Sequence, residues 1–219
     1  PMTDHLPKPL IKIGDRPILY HIIERFVDQG VKDFVIAGGY KYEMIVDYVK
    51  RHPIQGVKIK VIGTGQDVPT GIRLKRVLKN DNPVIVTYAD DISNIDIREV
   101  IKIYNANPMP SIVMTAGRVR SQWGHLKVAE GVVMDLIEKP FLDGWINVGN
   151  WVVNGALRDT IKPNDTLEMW AQRIIKNHIV RVYWYYGFFH GMNTYADYLY
   201  LNDLWKKLWK KKQNLKDAI

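Results

Sequence analysis

Short apolar runs alternate with amphipathic stretches along most of the chain. After Pro17, Ile18, Ile22, Ile23 and Phe26 fall on one face at helical spacing, and Gly30 closes the stretch. Asp33–Gly38 (DFVIAG) reads as a buried strand. A helix from Tyr42 to Lys50 is stopped at His52-Pro53, and Val57 to Ile62 alternates apolar residues with lysine as a strand does. The pattern then predicts a helix over Gly71 to Lys79 and a second buried strand over Pro83 to Tyr88. A helix over Asp96 to Asn105 follows, with Asp96 as its N-cap, and a strand over Ser111 to Thr115.

This βαβα rhythm predicts an α/β fold: a Rossmann-like three-layer α/β/α arrangement on a mostly parallel central sheet. From Trp123 onward the segments shorten. Leu126 to Ala129, Val132 to Glu138 and Ile146 to Val153 read as strands of a small antiparallel extension. A helix over Leu167 to Asn177, a strand over Ile179 to Tyr185 and a C-terminal helix complete the chain. No repeat, low-complexity tract or linker divides residues 1–219, which read as one domain.

The 219 residues are enough for one domain with a substantial core. Absence of cysteine excludes disulfides, thiolate catalysis and cysteine-based metal sites. No apolar run approaches the roughly 20 residues that span a bilayer, and no secretory signal pattern is present. A cytoplasmic location is the default expectation. The net charge of +8 admits an anionic partner, but a lysine-rich surface accounts for it equally simply. Much of the excess lies in Trp205 to Lys212 (WKKLWKKK), where Trp205, Leu208 and Trp209 form one helical stripe. A terminal helix docked by its tryptophans, with lysines in water, is the expectation. Nucleic acid is not expected as a partner.

Three places carry candidate chemistry. Lys8 stands between Pro7 and Pro9, which restrict the backbone and reduce the entropy lost when the ammonium meets an anion. Asp90 closes the strand over Pro83 to Tyr88, at the sheet edge where open α/β folds bind ligands. Thr70 and Gly71 open a helix whose free N–H groups suit anionic or carbonyl acceptors, and glycine lets a flat base come close.

These segments occur in order with Thr87–Ile97 (TYADDISNIDI), Glu138-Lys139-Pro140, Ile146–Gly149 (INVG) and Gly187–Thr194 (GFFHGMNT). Together with PKPLIKIG at Pro7–Gly14, they resemble the sugar-1-phosphate nucleotidyltransferases, most closely the glucose-1-phosphate cytidylyltransferase branch. The resemblance covers nearly the whole chain and implies the nucleotide-diphospho-sugar transferase fold. In that family a glycine-rich loop (G-G-x-G-T-R-L) and a central strand come directly before the segment that begins here. The expectation is therefore an N-terminally truncated domain with a destabilising gap in its sheet.

The resemblance assigns roles residue by residue. Lys8 holds the triphosphate, Asp90 binds Mg²⁺, and Thr70 and Gly71 read the nucleobase. Glu138 accepts from sugar hydroxyls and Lys139 binds the sugar phosphate, with Gly124, Asn147 and Gly149 completing the sugar-phosphate site. Asn193 stands where the family carries a second metal-binding aspartate, so the site loses one negative charge; His190 or Asp197 is the candidate to compensate. NTP and sugar 1-phosphate are the implied partners, and a homo-oligomer is the implied assembly.

The expected reaction joins a hexose 1-phosphate, glucose 1-phosphate first, to an NTP, with CTP ahead of UTP, dTTP and GTP. Two other readings stay open. One is a nucleotide-binding relative with little turnover, motivated by Asn193. The other is a nucleic-acid or membrane binder driven by the basic C-terminus.

Overall fold

The computed structural model describes residues 4–210 apart from Asn80, Asn107 and Pro110, and of Trp209 and Lys210 only the helix backbone. The expectations for the Trp209 side chain and for Lys211 and Lys212 lie outside the described residues.

The chain begins with a 3₁₀ turn at Lys8–Leu10 and a small hairpin, β1 (Lys12–Ile13) and β2 (Arg16–Pro17), before α1 (Ile18–Asp28). A crossover unit follows: β3 (Asp33–Gly38), α2 (Tyr42–Arg51) and β4 (Lys58–Gly63), with β3 and β4 parallel. Next come α3 (Thr70–Val77), β5 (Val84–Val86), β6 (Asp91–Ser93), α4 (Ile97–Tyr104) and β7 (Ile112–Gly117). The hairpin β8 (His125–Ala129) and β9 (Val132–Ile137) precedes β10 (Ile146–Asn147) and β11 (Trp151–Val153). A 3₁₀ segment at Gly155–Thr160, α5 (Leu167–Asn177), β12 (Val180–Tyr185), β13 (Phe189–Gly191) and α6 (Tyr195–Lys210) complete the order.

β7 is the hub of the main sheet. β12 runs parallel to it along its whole length, and on its other edge it meets β11 and β10, both antiparallel. β11 pairs onward with β5, again antiparallel. The central sheet is thus mixed, and the antiparallel component that the pattern places beyond Trp123 also enters the sheet through β10 and β11. The expected single strand over Ile146 to Val153 is broken in two, because Gly149 (φ +67°) and Asn150 (φ +55°) both take left-handed backbone.

Alternation along the strands divides the core in two. Val113 and Val152 point to α1, α4 and α6, joining Ile22, Phe26, Val100, Met192 and Leu201. Ile112, Trp151 and Val153 point the other way, against Leu74 of α3 and Trp170 and Ile174 of α5. Each such large side chain contributes about 1.5–3 kcal/mol when fully buried, so these layers fix where the loops at the strand ends emerge. A third cluster, with Leu19, Ile23 and Ile45, seats α2 on α1.

Two strands read as buried are less covered than expected. β3 leaves Val35 50% exposed, and no residue of β5 is fully buried. Among the described residues β3 pairs only with β4 and β5 only with β11, so each keeps one edge without a strand partner. At the other end of the chain, α6 docks as expected: Leu208 is buried and Trp205 packs against the core. The Trp205 ring packs against Gly14, where a Cβ would fall 2.2 Å from a ring carbon.

Candidate active site

Three polar side chains from distant parts of the chain meet at one point. Lys8 Nζ donates to Asp90 Oδ2 at 2.6 Å and to Asn193 Oδ1 at 2.9 Å. The contact depends on β6 and β13, which pair antiparallel with Gly191 opposite Asp91. Met192, itself buried, extends the pairing by donating its N–H to the Asp90 carbonyl at 2.9 Å. Asp90 before β6 and Asn193 after β13 therefore emerge side by side. A residue larger than glycine at 191 would place Cβ 2.7 Å from Asp91 Oδ1 and 3.0 Å from Asn193 Nδ2.

A residue before proline usually favours extended backbone, but Lys8 does not adopt it. It opens a 3₁₀ turn in which Leu10 N–H donates to Pro7 O and Ile11 N–H to Lys8 O. Burial of Leu10 and Ile11 supplies the stiffness expected from proline alone.

Lys8 and Asp90 are partly buried, with side-chain exposures of 30% and 27%, and Asn193 is exposed. Asp91, behind it, is pushed up to about 7 by burial first and by the Asp90 charge second, with Lys8 opposing. Asp197 does not stand in for the missing carboxylate. One of its oxygens contacts His190 Nε2 at 2.9 Å; the other accepts from Asn193 N, Thr194 N and Thr194 Oγ1. With Asp197 N–H donating back to Thr194 Oγ1, this is a capping box on α6. His190 is likewise engaged by that carboxylate.

The donor chemistry suits a hard divalent ion. Asp90 and Asn193 aim two oxygens at a single positive centre, and Mg²⁺ characteristically takes few protein oxygens and completes its shell with phosphate and water. Asp90 and Asn193 would hold it.

The sugar-phosphate candidates form separate groups. Glu138 and Lys139 follow β9 directly; their charged ends lie 3.7 Å apart, and both are strongly exposed. Gly124 lies against this segment, its Cβ position 3.0 Å from a Leu136 methyl and 3.2 Å from Glu138 Oε2. Among the described residues, no hydrogen bond or ion pair joins Lys139 to Lys8 or Asp90. Asn147 Oδ1 accepts from Gly149 N at 2.9 Å and from Trp151 Nε1 at 2.7 Å, so this amide oxygen shapes the turn between β10 and β11. Gly149 brings that turn 3.0 Å from the Tyr88 ring, measured from its Cβ position.

The start of α3 is tied to the loop before α5. Gly71 N–H is not open to a base: it donates to Asp165 O at 3.1 Å. Thr70 Oγ1 accepts from Leu167 N at 2.9 Å. A Cβ on Gly71 would fall 2.6 Å from Asp165 O, so the glycine permits the close approach of α3 to the loop before α5. In this structure both residues serve packing.

Two features escape a reading of sequence pattern. Arg25, on the apolar face of α1, is buried and donates to Ile95 O at 3.0 Å and Asn150 Oδ1 at 2.6 Å. Burial lowers it to about 10. It ties α1 to the loop after β6 and to the turn before β11, beneath the site. Tyr88 donates to Glu168 Oε1 at 2.6 Å, linking the segment before Asp90 to the first turn of α5. An arginine among Ile22, Ile23 and Phe26 was the available signal for the first; nothing local marks the second.

Comparison with known proteins identifies the family. A family profile described as Nucleotidyl transferase matches residues 1–210. Glucose-1-phosphate cytidylyltransferase of Salmonella typhimurium is 30% identical over 230 residues, covering 92% of this chain and 88% of its own. Mannose-1-phosphate guanyltransferase of Pichia angusta is 32% identical over 177 residues, covering 76% of this chain and 49% of its own. Among solved structures, HddC from Yersinia pseudotuberculosis superposes with a TM-score of 0.68 at 22% identity, covering 90% of this chain and 89% of that one. With one profile spanning nearly the whole chain, and a 30% match over 92% of it to a sugar-1-phosphate enzyme, the chain belongs to the nucleotidyl transferase family, in its sugar-1-phosphate nucleotidyltransferase branch.

Proposed function

We propose that the chain catalyses Mg²⁺-dependent transfer of a nucleotidyl group from an NTP to a hexose 1-phosphate, with CTP and glucose 1-phosphate as the pair to try first. A phosphate oxygen of the sugar attacks the α-phosphorus. The bond from that phosphorus to the bridging oxygen breaks, and pyrophosphate leaves with the electron pair. No covalent enzyme nucleophile is needed, because the attacking phosphate is already anionic at neutral pH. The protein must position two anions in line and neutralise their repulsion.

Lys8 is assigned to the triphosphate and Lys139 to the sugar phosphate, with Glu138 accepting from sugar hydroxyls. Asp90 and Asn193 are assigned to Mg²⁺, which when bound screens charge on the reacting phosphates. The observation that carries this reading is the meeting of Lys8, Asp90 and Asn193 across the β6–β13 pair. Thr70 and Gly71 are assigned to the nucleobase end, where Gly71 N–H and Thr70 Oγ1 already have partners between α3 and α5, so a base would be met by the remaining groups of this segment.

Incubation with each of CTP, UTP, dTTP and GTP, Mg²⁺ and a panel of sugar 1-phosphates should release pyrophosphate for at least one pair. No release from any pair would overturn the reading. Asn193 favours one alternative, a nucleotide-binding relative with weak turnover. Asn193→Asp separates the two: an enzyme gains at most about tenfold from the added charge, whereas turnover that exists only in the variant identifies a binding protein.

A further inference from the structure

The Asp90 carboxylate and the Asn193 amide oxygen converge on one cation, and that cation belongs to the protein. Lys8 Nζ lies 2.6 Å from the first and 2.9 Å from the second. These are the two oxygens assigned to Mg²⁺, which binds oxygen at about 2.0–2.1 Å. An ion held by these oxygens would compete with the ammonium for the same acceptors, so each cation disfavours the other.

The neighbouring groups reinforce this competition. Asp197, the nearest carboxylate on α6, has both oxygens engaged by the cap and by His190. Asn193 is neutral where a carboxylate would pull harder on a divalent ion. Lys8 is rooted in a 3₁₀ turn anchored by buried Leu10 and Ile11, so its stem starts from a fixed point.

We infer that Lys8 is a placeholder cation. Without nucleotide its ammonium occupies the Asp90–Asn193 position and keeps divalent ions out; an incoming triphosphate draws Lys8 onto its own oxygens and opens the position. The inference rests on the proposed roles of Lys8 and Asp90, and adds an order of events: the metal enters with the nucleotide, not before it. At each stage the Asp90 carboxylate keeps one positive partner, so the site is never left with an uncompensated charge.

The probe is Mn²⁺, followed by electron paramagnetic resonance in the nucleotide-free protein, with no turnover in the readout. Lys8→Met should bind Mn²⁺ about tenfold tighter than the parent, the order of one partly screened ion pair. The same variant should bind CTP with Mn²⁺ more weakly than the parent, so the two effects have opposite signs. Lys12→Met removes a charge from the same segment and should change neither. Lys8→Gln repeats the test should the methionine variant fold poorly, as judged by its melting curve. Unchanged Mn²⁺ affinity in the folded Lys8 variants, or equal tightening in Lys12→Met, overturns the placeholder. If pyrophosphate is still released in that case, the transferase reading stands. A parent that takes up no Mn²⁺ with any of CTP, UTP, dTTP and GTP overturns both.

Discussion

Asp91 sits directly behind the residue assigned to the metal, and its carboxyl is pushed up to about 7 by burial and by Asp90. Between pH 4 and 7 the folded chain keeps a proton that the unfolded chain has released. Stability should therefore fall as pH rises through this window and level off above about 7. Asp91→Asn removes that slope. In metal-free buffer the variant should be more stable than the parent at pH 8, by about 1–2 kcal/mol, and nearly equal to it at pH 4. Thermal melts at the two pH values check this; a difference that does not vary with pH would show that Asp91 ionises normally. Asn193 shows the same economy of charge. A carboxylate in its place would set a second full negative charge beside Asp90 and raise Asp91 further, and the neutral amide avoids that.

At the scale of elements, glycine positions report where backbones must nearly touch. Gly71→Ala should cost about 1–3 kcal/mol, because its Cβ would meet Asp165 O at 2.6 Å and neither backbone can move without disturbing α5. A melting curve unchanged by the substitution would mean that α3 and α5 are not held this closely. Elements with strong local signals were legible in the sequence. α5 spans the expected Leu167–Asn177 because Thr166 caps it, its hydroxyl accepting from Met169 N, and Asp96 caps α4 as anticipated. β3 likewise has its expected limits. The elements that build the site were not legible. β6 and β13 are three residues each, too short for periodicity, and their pairing joins positions about a hundred residues apart. The break between β10 and β11 depends on left-handed backbone at Gly149 and Asn150, which a run of apolar residues conceals. Lys8, Asp90 and Asn193 were identifiable as site residues through motif resemblance; the contact among them needed the structure.

Across the whole molecule, the charge-bearing centre is carried on a well-buried layer while the sugar-phosphate candidates are not. Asp90 and Asn193 are fixed by a strand pair seated on the core that contains Met192 and Leu201, and Arg25 braces the same region from α1. Glu138 and Lys139 instead end a hairpin whose residues are all exposed, including Leu126, Met134 and Leu136. On the proposed roles, the nucleotide end of the reaction falls on the better-buried part of the fold. No described helix is long and apolar enough to cross a membrane. The most direct measurement is pyrophosphate release under saturating CTP, glucose 1-phosphate and Mg²⁺, compared between the parent and Asp90→Asn. Removing the one full carboxylate that faces Lys8 should lower the rate about a thousandfold or more while the variant still folds. A folded Asp90→Asn protein that releases pyrophosphate at the parent's rate would contradict the assignment of this centre to catalysis.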